Sequence, residues 1–163
     1  MPTLLLALLA VRLSCSADPA YRLLDFWLGA WEVHTPDGRL DGTNRIEKIL
    51  GGCAIVENWK DADGTEGKSL FYYDPVALVW KQVWVTDQGP IKEKALVTRL
   101  PAGGVIFEGS VASTSDGSRY LDRTTLTPEP GGTVRQVIEA SRDQGRSWTV
   151  VFDGRYTRPA AKP

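Results

Sequence analysis

Nine clusters of turn-forming residues cut the chain between Trp31 and Thr157 into pieces of similar length, and this spacing limits the fold more than any other feature. They are Pro36-Asp37-Gly38, Gly51-Gly52, Ala62-Asp63-Gly64, Asp74-Pro75, Asp87-Gln88-Gly89, Ala102-Gly103-Gly104, Ser115-Asp116-Gly117, Pro130-Gly131-Gly132 and Asp143-Gln144-Gly145. Glycine supplies the positive φ of a tight turn and aspartate bonds the backbone beyond it, so each cluster reverses the chain. The pieces between them alternate with a period of two and are rich in Val, Ile, Thr, Trp and Tyr. No window after Ala30 holds the 3.6-residue period of a helix. They predict about ten strands: 30–35, 41–50, 53–60, 67–73, 78–86, 91–99, 105–113, 119–127, 133–142 and 147–157. Short connections pair consecutive strands as antiparallel hairpins. One open sheet of that size leaves two bare edges and an uncovered face. An all-β, single antiparallel up-and-down barrel removes both, and a β-sandwich is the other arrangement open to such a chain.

The N-terminus has a different grammar. Residues 1–11 are almost continuously apolar and are followed by Arg12 and the small residues Ser14, Cys15, Ser16 and Ala17. This predicts an export signal over residues 1–17, cleaved after Ser16 or Ala17, because the apolar run is too short to span a bilayer as a helix. A lipid anchor on Cys15 and an unprocessed terminus are the alternatives. Cleavage would leave Cys53 without an intramolecular partner and thus predicts no disulfide, with Cys53 a small buried hydrophobe. Asp18 and Pro19 then open a short plug helix over 19–28, with Asp18 as cap and Gly29 as stop. The domain itself is expected over 18–158, with 159–163 a loose tail. Nineteen Lys and Arg against twenty Asp and Glu give a net charge of -1, without the basic face a nucleic-acid partner requires.

The stretches Asp25–Val33 (DFWLGAWEV), 51–59 (GGCAIVENW), 72–85 (YYDPVALVWKQVWV) and 141–156 (SRDQGRSWTVVFDGRY) carry a family resemblance. A Gly-x-Trp after a short plug helix, opening a meander of about ten strands, resembles the calycin superfamily of lipocalins, fatty-acid-binding proteins and nitrobindin-like barrels. Over residues 25–158 the chain is similar to a group of bacterial calycin-like β-barrel proteins of unknown function. The resemblance implies that Trp31 closes one barrel end, with Arg155 or Arg158 packed across it by cation-π contact. Only Pro36 to Leu40 separate the first two strands, so the helical lid of fatty-acid-binding proteins is missing. With no His after His34 the resemblance does not bring haem with it.

The single His and few Cys also argue against other chemistry. They cannot build a His/Cys zinc site, and no segment matches a calcium loop or a glycine-rich phosphate loop, so no metal or cofactor is expected. A Ser-His-Asp triad would need His34, which alternation puts on the face opposite Trp31 and Val33. Ser141-Arg142-Asp143-Gln144-Gly145-Arg146-Ser147-Trp148 fits the Asp-box pattern, in which Asp143 organises a hairpin turn and Trp148 packs beneath it. That role is structural.

The phase of the alternation points further. Trp80, Gln82 and Trp84 share one strand face, as do Cys53, Ile55, Glu57 and Trp59, and Ser69, Phe71 and Tyr73. A core made only for packing favours aliphatic residues, whereas rings interleaved with Gln and Glu fit a cavity that holds a small ligand. The expected lining is Trp59, Tyr73, Trp80, Trp84 and Phe107, with Glu57, Gln82 and Gln136 as polar anchors for a small hydrophobic or aromatic molecule. The same face would otherwise lie outside, its Trp residues covering seams of a filled barrel that acts as a structural or protein-interaction domain. A catalytic version would use Glu57 as acid/base of an isomerase or lyase, its pKa raised by desolvation.

Overall fold

In the computed structural model, which describes residues 14–113 and 115–160, ten strands follow one another: β1 (Gly29–His34), β2 (Leu40–Ile49), β3 (Ala54–Asp61), β4 (Glu66–Asp74), β5 (Val79–Thr86), β6 (Ile91–Arg99), β7 (Val105–Ala112), β8 (Arg119–Glu129), β9 (Thr133–Ser141) and β10 (Thr149–Thr157). Each pairs antiparallel with its neighbour in sequence, and β1 pairs with β10 through Glu32↔Thr157, Val33↔Tyr156 and His34↔Arg155. The sheet is therefore a closed up-and-down barrel. A sandwich would have left β1 and β10 unpaired. Observed ends lie within two residues of those expected.

Alternation decides what faces inward. Trp31 and Val33 are buried while His34 is half-exposed, its Nδ1 3.5 Å from the Thr157 hydroxyl on the next strand. The outer face carries cross-strand ion pairs such as Arg135–Asp153 at 2.6 Å, Arg123–Glu139 at 3.0 Å and Lys60–Glu66 at 3.2 Å. Among the described residues no helix is long and apolar enough to cross a membrane.

The expected plug is present as a short helical segment between Pro19 and Trp27. It is two 3-10 turns, Pro19–Arg22 and Asp25–Trp27. Asp18 caps the first by accepting a hydrogen bond from Ala20 N at 2.9 Å, as expected. The segment is too short to hold an α-helix alone, so it takes the shape in which its apolar side chains dock. Leu24 and Trp27 are fully buried. Trp27 meets Phe71 and Tyr156 edge-on at 5.5 and 6.0 Å, and Trp80 Nε1 donates to Ala20 O at 2.8 Å.

One expectation about this end needs correction. Cys15 and Cys53 form a disulfide, which ties the chain just before the plug to the turn between β2 and β3. Cleavage after Ser16 or Ala17 would remove Cys15, so that cleavage and this bond exclude each other. Cys53 lacks a partner only if Cys15 is cleaved away; here Ser16 packs on Gly52, where a Cβ would lie 3.3 Å from Ser16 Cα, and Cys15 is held beside Cys53. Across Trp31 lies Arg158, its guanidinium carbon 3.5 Å from the ring centroid; Arg155 instead faces outward and pairs with Glu129 at 3.1 Å. The apolar run expected to be an export signal falls, up to residue 13, outside the described residues, as do residues 161–163 of the tail.

The Asp-box forms the β9–β10 turn. Asp143 accepts from Ser147 N at 2.9 Å, Ser147 Oγ at 2.6 Å and Ser141 Oγ at 2.8 Å, and these bonds hold its carboxyl down to about 2. Arg123 stacks over Trp148 at 3.9 Å.

Candidate functional site

The two halves of the lumen differ. The half beneath the plug is filled by Phe71, Trp80, Phe107, Trp27 and their neighbours, whereas the other half opens into a cavity of about 270 Å3. That is just below the ~300–1,000 Å3 of typical ligand clefts. Trp59, Trp84, Ile138 and Phe152 form its walls. Glu57, Gln82, Lys94, Thr124, Gln136 and Tyr156 form its floor, and Arg39, Asp41, Asp61, Asp63 and Lys92 stand around it.

The expected site residues are divided between these halves. Glu57, Trp59, Gln82, Trp84 and Gln136 come together at the cavity. Tyr73, Trp80 and Phe107 do not. Trp80 and Phe107 are fully buried in the packed half, Phe107 at 5.5 Å from Phe71, and Tyr73 stacks edge-on against Tyr21 of the plug at 5.2 Å. Period-two alternation tells inside from outside but carries no information on depth along the barrel.

The wall tryptophans are seated on glycines. A Cβ at Gly42 would lie 2.7 Å from Trp59 Cη2. One at Gly67 would overlap Trp84 Cη2 and Cζ2 and lie 3.1 Å from its Cε2. The Cη2–Cζ2 edge of each ring therefore rests over a glycine of the neighbouring strand, Trp59 over β2 and Trp84 over β4, and the two indoles form an apolar wall. Phe152 meets Trp59 edge-on at 6.0 Å.

The floor is a connected polar network. Glu57 is 3% exposed; its Oε1 accepts from Asn44 Nδ2 at 2.7 Å and its Oε2 from Ser69 Oγ at 2.5 Å. Gln82 Nε2 donates to Ser69 Oγ at 3.0 Å. Asn44 also donates to the Tyr156 hydroxyl at 3.3 Å, which donates to Gln136 Oε1 at 2.5 Å. Beside this, Asp122 is fully buried and paired with both Lys94 and Lys92, the latter at 2.6 Å, while Lys94 Nζ also donates to Thr124.

Burial dominates the titration of this network. It raises the Glu57 carboxyl above its ordinary value against the opposing hydrogen bonds from Ser69 and Asn44 and the Lys94 charge. It pulls the Lys94 ammonium down to about 8 against the attraction of Asp122. It also raises the Tyr156 phenol, with the Glu57 charge acting in the same direction. Groups shifted this way around a cavity can bind or move a proton as well as anchor a ligand.

Lys92, Lys94, Asp122 and Thr124 were missed from sequence. The signal was present: Lys92 and Lys94 share the phase of half-buried Leu96, and Asp122 and Thr124 share that of buried Leu126. Register brings Lys94 opposite Gln82 and Lys92 opposite Trp84.

No protein-family model and no curated protein matches this chain. The closed ten-stranded meander is consistent with a calycin-like barrel.

Proposed function

We propose that the protein is an exported, non-catalytic binder of a small aromatic or apolar molecule, held in the open half of its barrel. The observation that carries this is the cavity itself: two tryptophan rings seated on Gly42 and Gly67 above a hydrogen-bonded floor, where a barrel built only to pack would be filled. Flat rings supply contact area and the polar floor fixes orientation. Export is supported by the apolar N-terminal run and by the Cys15–Cys53 disulfide, a bond that persists in oxidising compartments. Calorimetric titration with 2-naphthol tests the reading. Saturable binding that is lost in Trp84→Ala, with far-ultraviolet circular dichroism unchanged, is the expected result; absence of binding to the intact protein would refute it.

A second reading, an isomerase or lyase, is favoured by one observation: Glu57 lines the cavity with a proton affinity raised by burial, next to Lys94. Glu57→Gln separates the two. An enzyme shows turnover that this variant abolishes, whereas a carrier shows none in either form.

A further inference from the structure

Two lysines line the cavity against one buried carboxylate, and from this we infer that the ligand is an anion, a small aromatic acid whose ionised group sits on Lys92 while its ring meets the wall tryptophans. This rests on the lumen being the binding site, as proposed above, and names the class of molecule it takes.

Register sets the pair. Lys92 and Lys94 of β6 stand opposite Trp84 and Gln82 of β5, and both line the cavity. Among the described residues Asp122 is the one carboxylate within ion-pair distance of either: it meets Lys92 at 2.6 Å and also pairs with Lys94. Glu57 does not take the second lysine. Its two oxygens are engaged by Asn44 and Ser69, at 2.7 and 2.5 Å, and burial pushes its carboxyl toward the neutral form. Two cations thus face one anion inside the barrel. The Lys94 ammonium registers the excess: burial first, and the Lys92 charge with it, hold it down to about 8 against the pull of Asp122. It still carries its proton at neutral pH.

The uncompensated charge falls on Lys92, the more accessible of the two, its side chain 20% exposed against 2% for Lys94. One of its three ammonium protons goes to Asp122; the other two have no acceptor among the described residues. Lys94 is instead occupied by Asp122 and Thr124. A charge shut away from water without a counter-charge is costly, so a neutral ligand that displaces water from Lys92 raises that cost. A monoanion removes it and gains charge-assisted hydrogen bonds. The acidic rim does not supply this charge. Asp41 pairs with Arg39 at 3.2 Å, Asp61 accepts from Thr65 N at 2.8 Å, and Asp63 is exposed, where water and salt screen it. Trp59, Trp84 and Phe152 offer apolar surface to the rest of the molecule, and a cavity of about 270 Å3 restricts it to a small acid.

Calorimetric titration of the full chain at pH 7 with 2-naphthoate and 2-naphthamide tests the inference. The two share ring and shape, and only the first is an anion. We expect naphthoate to bind at least about tenfold tighter than the amide, and Lys92→Met to remove that preference. The variant leaves Asp122 and Lys94 as a balanced pair, and the comparison on the unaltered protein stands whether or not the variant folds. Equal affinities, or tighter binding of the amide, would overturn the anionic ligand while leaving lumenal binding intact. A preference that survives in folded Lys92→Met would overturn the placement on Lys92. Binding of neither compound would overturn lumenal binding along with it.

Discussion

Gly67→Ala is the substitution whose effect is most directly fixed by the geometry of the cavity wall. The new Cβ would overlap Trp84 Cη2 and Cζ2, and its other near neighbour is Cε2 of the same ring at 3.1 Å. Carbon atoms meet favourably at about 3.5–4.0 Å, so the indole must move by about 1 Å or more. Overpacking of this kind costs about 1–3 kcal/mol. Replacing a strand glycine returns about 0.5–1 kcal/mol, for a net loss near 1–2 kcal/mol. In a domain of this size that lowers Tm by about 3–8 °C. Trp84→Ala alone should cost about 2 kcal/mol, since the ring is only half-buried. The double variant relieves the overlap and should be no less stable than Trp84→Ala, a coupling of about -1 to -3 kcal/mol. Thermal unfolding followed by circular dichroism at 222 nm measures all four corners of this cycle. Additivity within about 0.5 kcal/mol would refute the seating of Trp84 on Gly67.

Two further outcomes follow from the buried ion pairs and the disulfide. Burial lowers the folded-state affinity of Lys94 for its proton to about 8, from 10.5 in the unfolded chain. The unfolded state therefore binds more protons between these values, and the Lys94 contribution to stability rises with pH across that window, with Asp122, Lys92 and Glu57 as the charged groups facing it. Stability of the wild type relative to Lys94→Met, measured by urea unfolding at pH 7.5 and 9.5, should increase with pH; parallel profiles would contradict the burial of a charged Lys94. Reducing the Cys15–Cys53 bond, which spans 38 residues, should cost up to about 4 kcal/mol from the entropy of the opened loop. Intact mass spectrometry of exported protein, before and after reduction, should show a two-proton gain with Cys15 retained. A chain beginning after Cys15 would refute the staple.

The barrel was legible because its determinants are local. Turn clusters at regular spacing set strand number, and short connections set antiparallel order. What alternation does not encode is depth along the barrel. Trp80 and Trp84 are two pleats apart on one face of β5, yet the first is sealed against Ala20 O of the plug and the second lines the cavity. The glycines that seat the wall rings, Gly42 and Gly67, belong to neighbouring strands, and only register shows their purpose. Lys94 and Asp122 escape a reading of the sequence because neither has a sequence-adjacent partner, although 28 positions apart they pair in the interior. The disulfide escaped notice for a different reason: Cys15 sits in a segment whose composition marks it for removal.

The six tryptophans provide the most direct test of ligand binding in the lumen, because each contributes one indole N–H resonance to a nitrogen-15 correlation spectrum. Trp27, Trp31 and Trp80 lie in the packed half, with Trp31 Nε1 bonded to Trp27 O at 2.8 Å and Trp80 Nε1 to Ala20 O at 2.8 Å, and Trp148 lies at the outer Asp-box turn. Only Trp59 and Trp84 line the cavity. Titration with 2-naphthol should shift the resonances of Trp59 and Trp84 saturably and leave the other four in place. Shifts confined to Trp148, or none at Trp59 and Trp84, would contradict binding in the lumen.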